Sequence, residues 1–176
     1  MKKIFALLTA MFLVIAACGT AEANKFPRFS TKDLDGDVVT SDIFAESEVT
    51  MINFWATWCP SCIAELPDLA ELDEIFEDTD GECALIGILI DADDRGAIRK
   101  AEEILYDADA YFIQLRPSKE MQSILDSIEA FPTSIFVDSR GNIVGPTIVG
   151  ARSKREYMAA TALALNEAQK KGRPRR

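Results

Sequence analysis

The sequence has no histidine among its 176 residues. Proton transfer in any chemistry this chain performs therefore falls to a carboxylate, a cysteine or water. Copper and zinc sites usually recruit histidine or several thiolates, and the chain offers neither beside its one close cysteine pair, Cys59 and Cys62. No metal and no cofactor is expected. Positive charge is scarce as well: 19 Lys and Arg stand against 29 Asp and Glu. Seven of the positive residues lie at the ends (Lys2, Lys3, Lys170, Lys171, Arg173, Arg175 and Arg176), which leaves 12 against the 29 acids and a body near −17. Such a surface argues against nucleic acid as a partner. Internal repeats, low-complexity segments and apolar runs long enough for a comfortable membrane span are also missing. With 48% apolar residues the chain is long enough for one domain with a substantial core and too short for two, and it is expected to act as a monomer.

What is present centres on the stretch Trp55-Ala56-Thr57-Trp58-Cys59-Pro60-Ser61-Cys62-Ile63-Ala64-Glu65-Leu66-Pro67. It joins an apolar run, Val49 to Phe54, to a helical pattern with Leu66, Leu69, Leu72 and Phe76 on one face. The cysteines thus sit where a strand gives way to a helix. The first turn of a helix presents unpaired N–H groups and a partial positive charge, both of which stabilise a thiolate. Pro60 suits the first helical position, and Cys62, one turn along, lies on the same side as Cys59 and can close a disulfide with it.

A bare C-x-x-C would be a weak signal, since half a zinc ribbon has the same spacing. Here Phe54-Trp55-Ala56-Thr57-Trp58-Cys59 precedes it and Cys62-x-x-Glu65-x-Pro67 completes it. The stretch resembles the active site of the thioredoxin superfamily, and of its TlpA-like (ResA-like) branch in particular. The likeness covers roughly Phe26 to Gln169.

The N-terminus reads as an export signal. Met1-Lys2-Lys3 is a positive n-region, and Ile4 to Ala17 is an apolar h-region. Two processing patterns follow. Ile15-Ala16-Ala17-Cys18 resembles a bacterial lipobox, which would make Cys18 the lipidated first residue. Ala21-Glu22-Ala23 resembles an ordinary cleavage site that would release a chain starting at Asn24. The lipobox is preferred, because a cysteine at that point has little other purpose. The expected organisation is a signal peptide with lipobox over 1–18, a linker over 19–25, a thioredoxin-like domain over 26–169 and a solvated basic tail over 170–176. Either processing route places the domain outside the cytoplasm.

Along the domain, Asp35-Gly36 marks the turn of a hairpin spanning Phe26 to Thr40, flanked by Phe29, Leu34, Val38 and Val39. Ser41-Asp42-Ile43-Phe44 predicts a capped helical turn. Cys83 to Ile90 is a continuous apolar run of the kind buried on both faces in a parallel sheet, so strand, helix and strand form a crossover unit. After the polar loop Asp91 to Asp94, a helix is predicted over Arg95 to Asp109 with Ile98, Ala101, Ile104 and Leu105 inward. Tyr111 to Leu115 predicts a strand, and Pro117-Ser118 opens a helix carrying Met121, Ile124, Leu125 and Ile128. Phe131-Pro132 leads into an apolar strand, Asp138 to Asn142 forms a hairpin turn, and Ile143 to Val149 is the last strand. Ser153 caps a final helix whose packed face is predicted at Tyr157, Ala160, Leu163 and Leu165. The fold class is α/β. The resemblance implies a thioredoxin fold, with a central mixed sheet flanked by helices, an N-terminal β-hairpin extension and a central helical insert.

Cys59, nearer the helix end, is predicted to attack and Cys62 to resolve. The resemblance further implies that Pro132 is cis and lies against the disulfide, with the Phe131 backbone free to pair with a substrate segment. Trp58 is expected to shield the disulfide or form part of a substrate platform, and Trp55 to pack. Cytoplasmic thioredoxin has a buried aspartate where this chain has Asn53, which cannot ionise. The branch places a glutamate near the dithiol, a role carried to Glu65, against the blander reading of a solvated helix charge. Pro67 should kink the helix. Cys83 begins a strand parallel to the one before Cys59, so it belongs at the other end of the sheet as an inert thiol.

The activity expected is extracytoplasmic thiol-disulfide exchange with cysteine thiols or disulfides of protein substrates. An upstream membrane protein would donate or accept electrons, and a lipid anchor would hold the domain at the membrane. Pro60-Ser61 is neither the Gly-Pro of reducing thioredoxins nor the Pro-His of a strong oxidase, and the branch leans towards reduction. Two other classes compete: a metal (copper) chaperone using Cys59 and Cys62, and a peroxiredoxin-like peroxidase, whose cysteine would sit in a Thr/Pro-rich turn.

Overall fold

In the computed structural model, residues 24–93 and 95–172 are described. The predicted signal peptide, the lipobox with Cys18, the Ala23 site and residues 173–176 of the basic tail lie outside them.

The two apolar runs around the first crossover become β3 (Val49–Trp55) and β4 (Cys83–Leu89), paired in parallel from Val49↔Cys83 to Trp55↔Leu89. All seven residues of β3 are buried, as expected of a strand covered on both faces. Antiparallel β6 (Thr133–Asp138) lies on the other side of β3, followed by β7 (Ile143–Val149). With β5 (Gln114–Leu115), the sheet order is β5-β4-β3-β6-β7. Such a sheet, crossed by α1 (Pro60–Glu77) and closed by a terminal ββα unit, has the thioredoxin topology.

Alternation along the strands divides the core in two. On one face Met51, Leu85 and Phe136 meet Leu66, Leu69, Leu72 and Phe76 of α1 and Tyr157, Ala160 and Ala164 of α4 (Lys154–Gly172). On the other, Ile52, Phe54, Ile86, Ile88 and Val137 pack with Phe26, Phe29 and Phe44, whose rings meet edge to face with centroids 5.5 to 5.9 Å apart. The predicted hairpin is β1 (Ser30–Lys32) and β2 (Val38–Thr40), and its turn carries Gly36 at φ 100°, where glycine is needed. It also closes the β5 edge, since Leu34 donates to Gln114 O and Arg116 donates to Lys32 O.

Several local expectations shift. The strand predicted over 111–115 shrinks to Gln114–Leu115, and Tyr111 is exposed, because β5 pairs with β4 only at Gly87↔Gln114 and Ile88↔Leu115. The helix opened by Pro117-Ser118 is a 3-10 turn, Lys119–Met121, followed by the short α3 (Gln122–Leu125). Beyond Leu125 the bonds tighten to three-residue spacing, with Ser127 donating to Ile124 O and Ile128 to Leu125 O, so Ile128 falls outside the helix. The predicted capped turn is the 3-10 helix Ser41–Glu46, with the Thr40 hydroxyl accepting the Asp42 N–H. α2 spans Arg95–Asp107 and buries Ala101 and Leu105, while Ile98 and Ile104 are only half-buried.

The packed face of α4 is Tyr157, Ala160, Thr161 and Ala164, and Leu163 is 61% exposed. These positions share one side of the helix at three- and four-residue spacing, and Leu163 lies off it. At Ala164 the fit is close: a Cβ on Gly145 of β7 would stand 2.8 Å from the Ala164 Cβ.

Candidate active site

The dithiol is built by the end of one strand and the start of one helix. After Trp55 the chain turns through Ala56 to Cys59, closed by the Cys59 N–H donating to Ala56 O at 3.1 Å. Cys59 is the N-cap of α1 in extended conformation (φ −99°, ψ 101°), and Pro60 follows at the first helical position. Cys59 and Cys62 form a disulfide with Cα atoms 5.3 Å apart. The Cys62 N–H points at Cys59 Sγ at 3.2 Å, and Ser61 Oγ lies 3.5 Å from the same sulfur. An unpaired helix N–H aimed at that sulfur is what a thiolate requires. Both sulfurs are buried, Cys62 fully and Cys59 with 5% exposure.

Across the sheet the register Phe54↔Thr133 sets Pro132 beside the end of β3. The Phe131–Pro132 peptide is cis, and Pro132 O accepts the Gly150 N–H at 2.8 Å. Trp58, 60% exposed, meets Phe131 edge to face with ring centroids 6.0 Å apart. The predicted substrate residues Trp58 and Phe131 therefore form one aromatic wall beside the dithiol. Trp55 is fully buried, with Nε1 donating to Gln114 Oε1 at 2.8 Å. Gly87 makes room for that glutamine, since a Cβ there would fall 1.9 Å from Gln114 Oε1.

Glu65 lies one turn beyond Cys62 and is 3% exposed, so it is no solvated helix charge. Its Oε1 accepts Asn53 Nδ2 at 2.9 Å, and its Oε2 accepts the Tyr157 hydroxyl at 2.7 Å and the Arg152 N–H at 3.2 Å. Asn53 Nδ2 also donates to Ser134 Oγ at 3.0 Å. Burial pushes the Glu65 carboxyl above the ordinary glutamate range, and its three donors only partly pull it back. The Tyr157 phenol is pushed far up by its own burial and by the Glu65 charge. Beside Glu65 an open pocket of about 420 Å³ reaches along Ser61 and Ala64, giving the neighbourhood of the dithiol access to solvent.

Sequence reasoning missed how Glu65 is held. It took Asn53 only as a group unable to ionise and Tyr157 only as a packed face, yet both donate to the carboxylate. No local pattern marks these contacts, which join residues 12 and 92 positions apart. The loop residue Asp91 was also passed over, although it accepts from both the backbone and the hydroxyl of Thr57.

Pro67 lies inside α1. Cys83 pairs with Val49 in the ladder while Leu89 pairs with Trp55, so the free thiol sits at the far end of the sheet. Burial, with Glu82 and Glu48 nearby, pushes it up to about 11. Among the described residues no group of three or more Cys, Asp or Glu stands where it could hold a metal ion, and no helix is long and apolar enough to cross a membrane.

Residues 21–163 match the family model described as Redoxin. The thioredoxin-like protein YneN of Bacillus subtilis is 26% identical over 140 residues, 78% of this chain and 77% of that protein. The thiol-disulfide oxidoreductase ResA of Bacillus cereus is 28% identical over 131 residues, 74% of this chain and 70% of the relative. Among solved structures, a thioredoxin-family thiol:disulfide interchange protein from Chlorobium tepidum superimposes with a TM-score of 0.67 at 24% identity, over 84% of this chain and 99% of that one. With its dithiol at the head of α1 and a cis-proline beside it on the same sheet, the chain belongs to the Redoxin family, and its chemistry is that of a thiol-disulfide oxidoreductase.

Proposed function

We propose that the protein reduces disulfides in proteins outside the cytoplasm, with Cys59 attacking, Cys62 resolving and Glu65 governing their protons. The observation that carries this reading is the Cys62 N–H directed at Cys59 Sγ at the mouth of α1, which favours charge on that sulfur. In the reduced protein the Cys59 thiolate attacks one sulfur of a substrate disulfide. An S–S bond forms between protein and substrate, the substrate bond breaks, and the leaving sulfur departs as a thiolate that takes up a proton. Cys62 then loses its proton and attacks Cys59 Sγ, which releases the second substrate sulfur and re-forms the Cys59–Cys62 disulfide. Two electrons pass from dithiol to substrate, and an upstream membrane protein restores them.

Glu65 sits one helical turn from Cys62 with its own proton affinity raised, so it is suited to receive a proton from the resolving thiol. Trp58, Phe131 and Pro132 form the substrate-facing wall. Export rests on the Met1 to Ala17 leader pattern, and anchoring on lipidation at Cys18. Cys18→Ala should move the protein from membranes to the soluble fraction or block its processing; unchanged soluble release of a chain starting at Asn24 would remove the lipid anchor from the proposal. The exchange roles are tested with Cys62→Ser, which should accumulate mixed disulfides with extracytoplasmic proteins because attack survives and resolution does not. Capture by Cys59→Ser in place of Cys62→Ser would reverse the two roles.

A further inference from the structure

The parallel ladder between β3 and β4 ends with Ile90 N–H donating to Trp55 O at 2.9 Å. Two residues later the chain has entered the Ala56–Cys59 turn, and the Thr57 N–H, at the second position of that turn, faces away from the turn's own carbonyl. The Asp91 side chain takes the place of the next ladder rung. Its Oδ1 and Oδ2 accept the Thr57 N–H at 3.2 and 3.3 Å, and its Oδ2 accepts the Thr57 hydroxyl at 2.7 Å. Thr57 is 5% exposed and Asp91 half-buried, so water competes poorly for these donors. The next residue is Trp58 and the one after is Cys59. Trp58 is 60% exposed, and its indole meets the Phe131 ring edge to face.

We infer that Asp91 is a positioning residue for protein substrates, acting through Thr57 to hold Trp58 at a fixed distance from Phe131 beside the reactive sulfur. Protein disulfides must dock an extended segment along the Trp58–Phe131 wall before exchange, whereas a small dithiol needs only the sulfur. The clamp therefore bears on docking and leaves the helix-end stabilisation of Cys59 in place. This inference rests on the reading of Trp58 as a substrate residue.

The test compares wild type, Asp91→Ala, Asp91→Asn, Thr57→Val and Trp58→Ala, in the oxidised form with dithiothreitol and in the reduced form with insulin disulfides. A lost charge-assisted bond to the turn should slow insulin reduction by Asp91→Ala about tenfold, mainly through KM, and leave the dithiothreitol reaction within about twofold. Asp91→Asn keeps one acceptor for the Thr57 N–H and should recover part of the loss. Thr57→Val removes the hydroxyl contact and should fall between. Tryptophan emission in Asp91→Ala, with the buried Trp55 contribution taken from Trp58→Ala, should broaden and lose anisotropy as the Trp58 indole is freed. Equal losses of Asp91→Ala on insulin and dithiothreitol, or no loss on either, would overturn the clamp. If Trp58→Ala leaves insulin reduction unchanged, the substrate wall itself is refuted and the clamp with it; a slow Trp58→Ala beside a normal Asp91→Ala refutes the clamp alone.

Discussion

Removing one hydroxyl, in Tyr157→Phe, isolates the energetics of the buried carboxylate. The phenol donates to Glu65 Oε2 at 2.7 Å, with Tyr157 fully buried and Glu65 only 3% exposed, so water replaces it poorly. With Glu65 ionised, the loss of a hydrogen bond to a charged group costs about 2 kcal/mol, and the Arg152 N–H at 3.2 Å is all that remains on that oxygen. With Glu65 protonated the lost bond joins neutral groups and costs about 1 kcal/mol or less. Glu65 has a raised pKa because burial opposes its charge. The stability this raised value contributes is therefore complete below the ordinary glutamate pKa and is lost as pH rises through the folded one. Tyr157→Phe removes a donor that favours the charged form, so it raises the folded pKa further, and the mutant's deficit grows with rising pH. For an m-value of about 2 kcal/mol/M the urea midpoint should fall by about 1 M at pH 8 and by about half that or less at pH 4. Urea melts of both proteins at the two pH values provide the measurement. Equal deficits at pH 8 and pH 4 would show that the phenol acts by packing alone and that Glu65 does not titrate in this network.

Two further outcomes follow from the same geometry. Glu65→Gln removes a negative charge one turn from Cys62, so Cys59 alkylation should titrate at lower pH than in wild type while exchange activity falls without vanishing; superimposable titration curves would leave Glu65 without influence on the dithiol. Cys83 is held protonated by burial and neighbouring acids, so mass mapping of the reduced protein after iodoacetamide at pH 8 should find Cys59 labelled and Cys83 untouched until the fold is melted with denaturant.

Much of this protein is legible along the chain. Strand and helix give recurring local signals: the apolar runs at Val49 and Cys83, the Asp35-Gly36 turn and the Ser153 cap all act within a few residues of themselves. Cys59, Cys62 and Pro60 define their site within a single turn, because a helix N-terminus is a local object. Pro132 was readable only through its resemblance. Where the sequence misled, the deciding partner was distant. Leu163 has the right character for a core position, but the face that α4 turns to the sheet runs through Tyr157, Ala160, Thr161 and Ala164, and Leu163 lies off it. Tyr111 to Leu115 has strand character throughout, yet β4 offers pairing to only its last two residues.

The sequence by itself determined the dithiol, its place at the head of a helix, and that proton transfer in a chain without histidine falls to a carboxylate, a cysteine or water. Only the tertiary structure decided how that carboxylate is held. Asn53, Ser134, Arg152 and Tyr157 come from β3, β6, the β7–α4 connection and α4, and they meet around Glu65 only because the sheet order puts β3 next to β6 and lays α4 across both. Asp91 reaches Thr57 for the same reason, across the ends of two parallel strands. A hydrogen bond acts over about 3 Å of space, whatever the separation along the chain, so such partners carry no periodicity or spacing that a sequence can display.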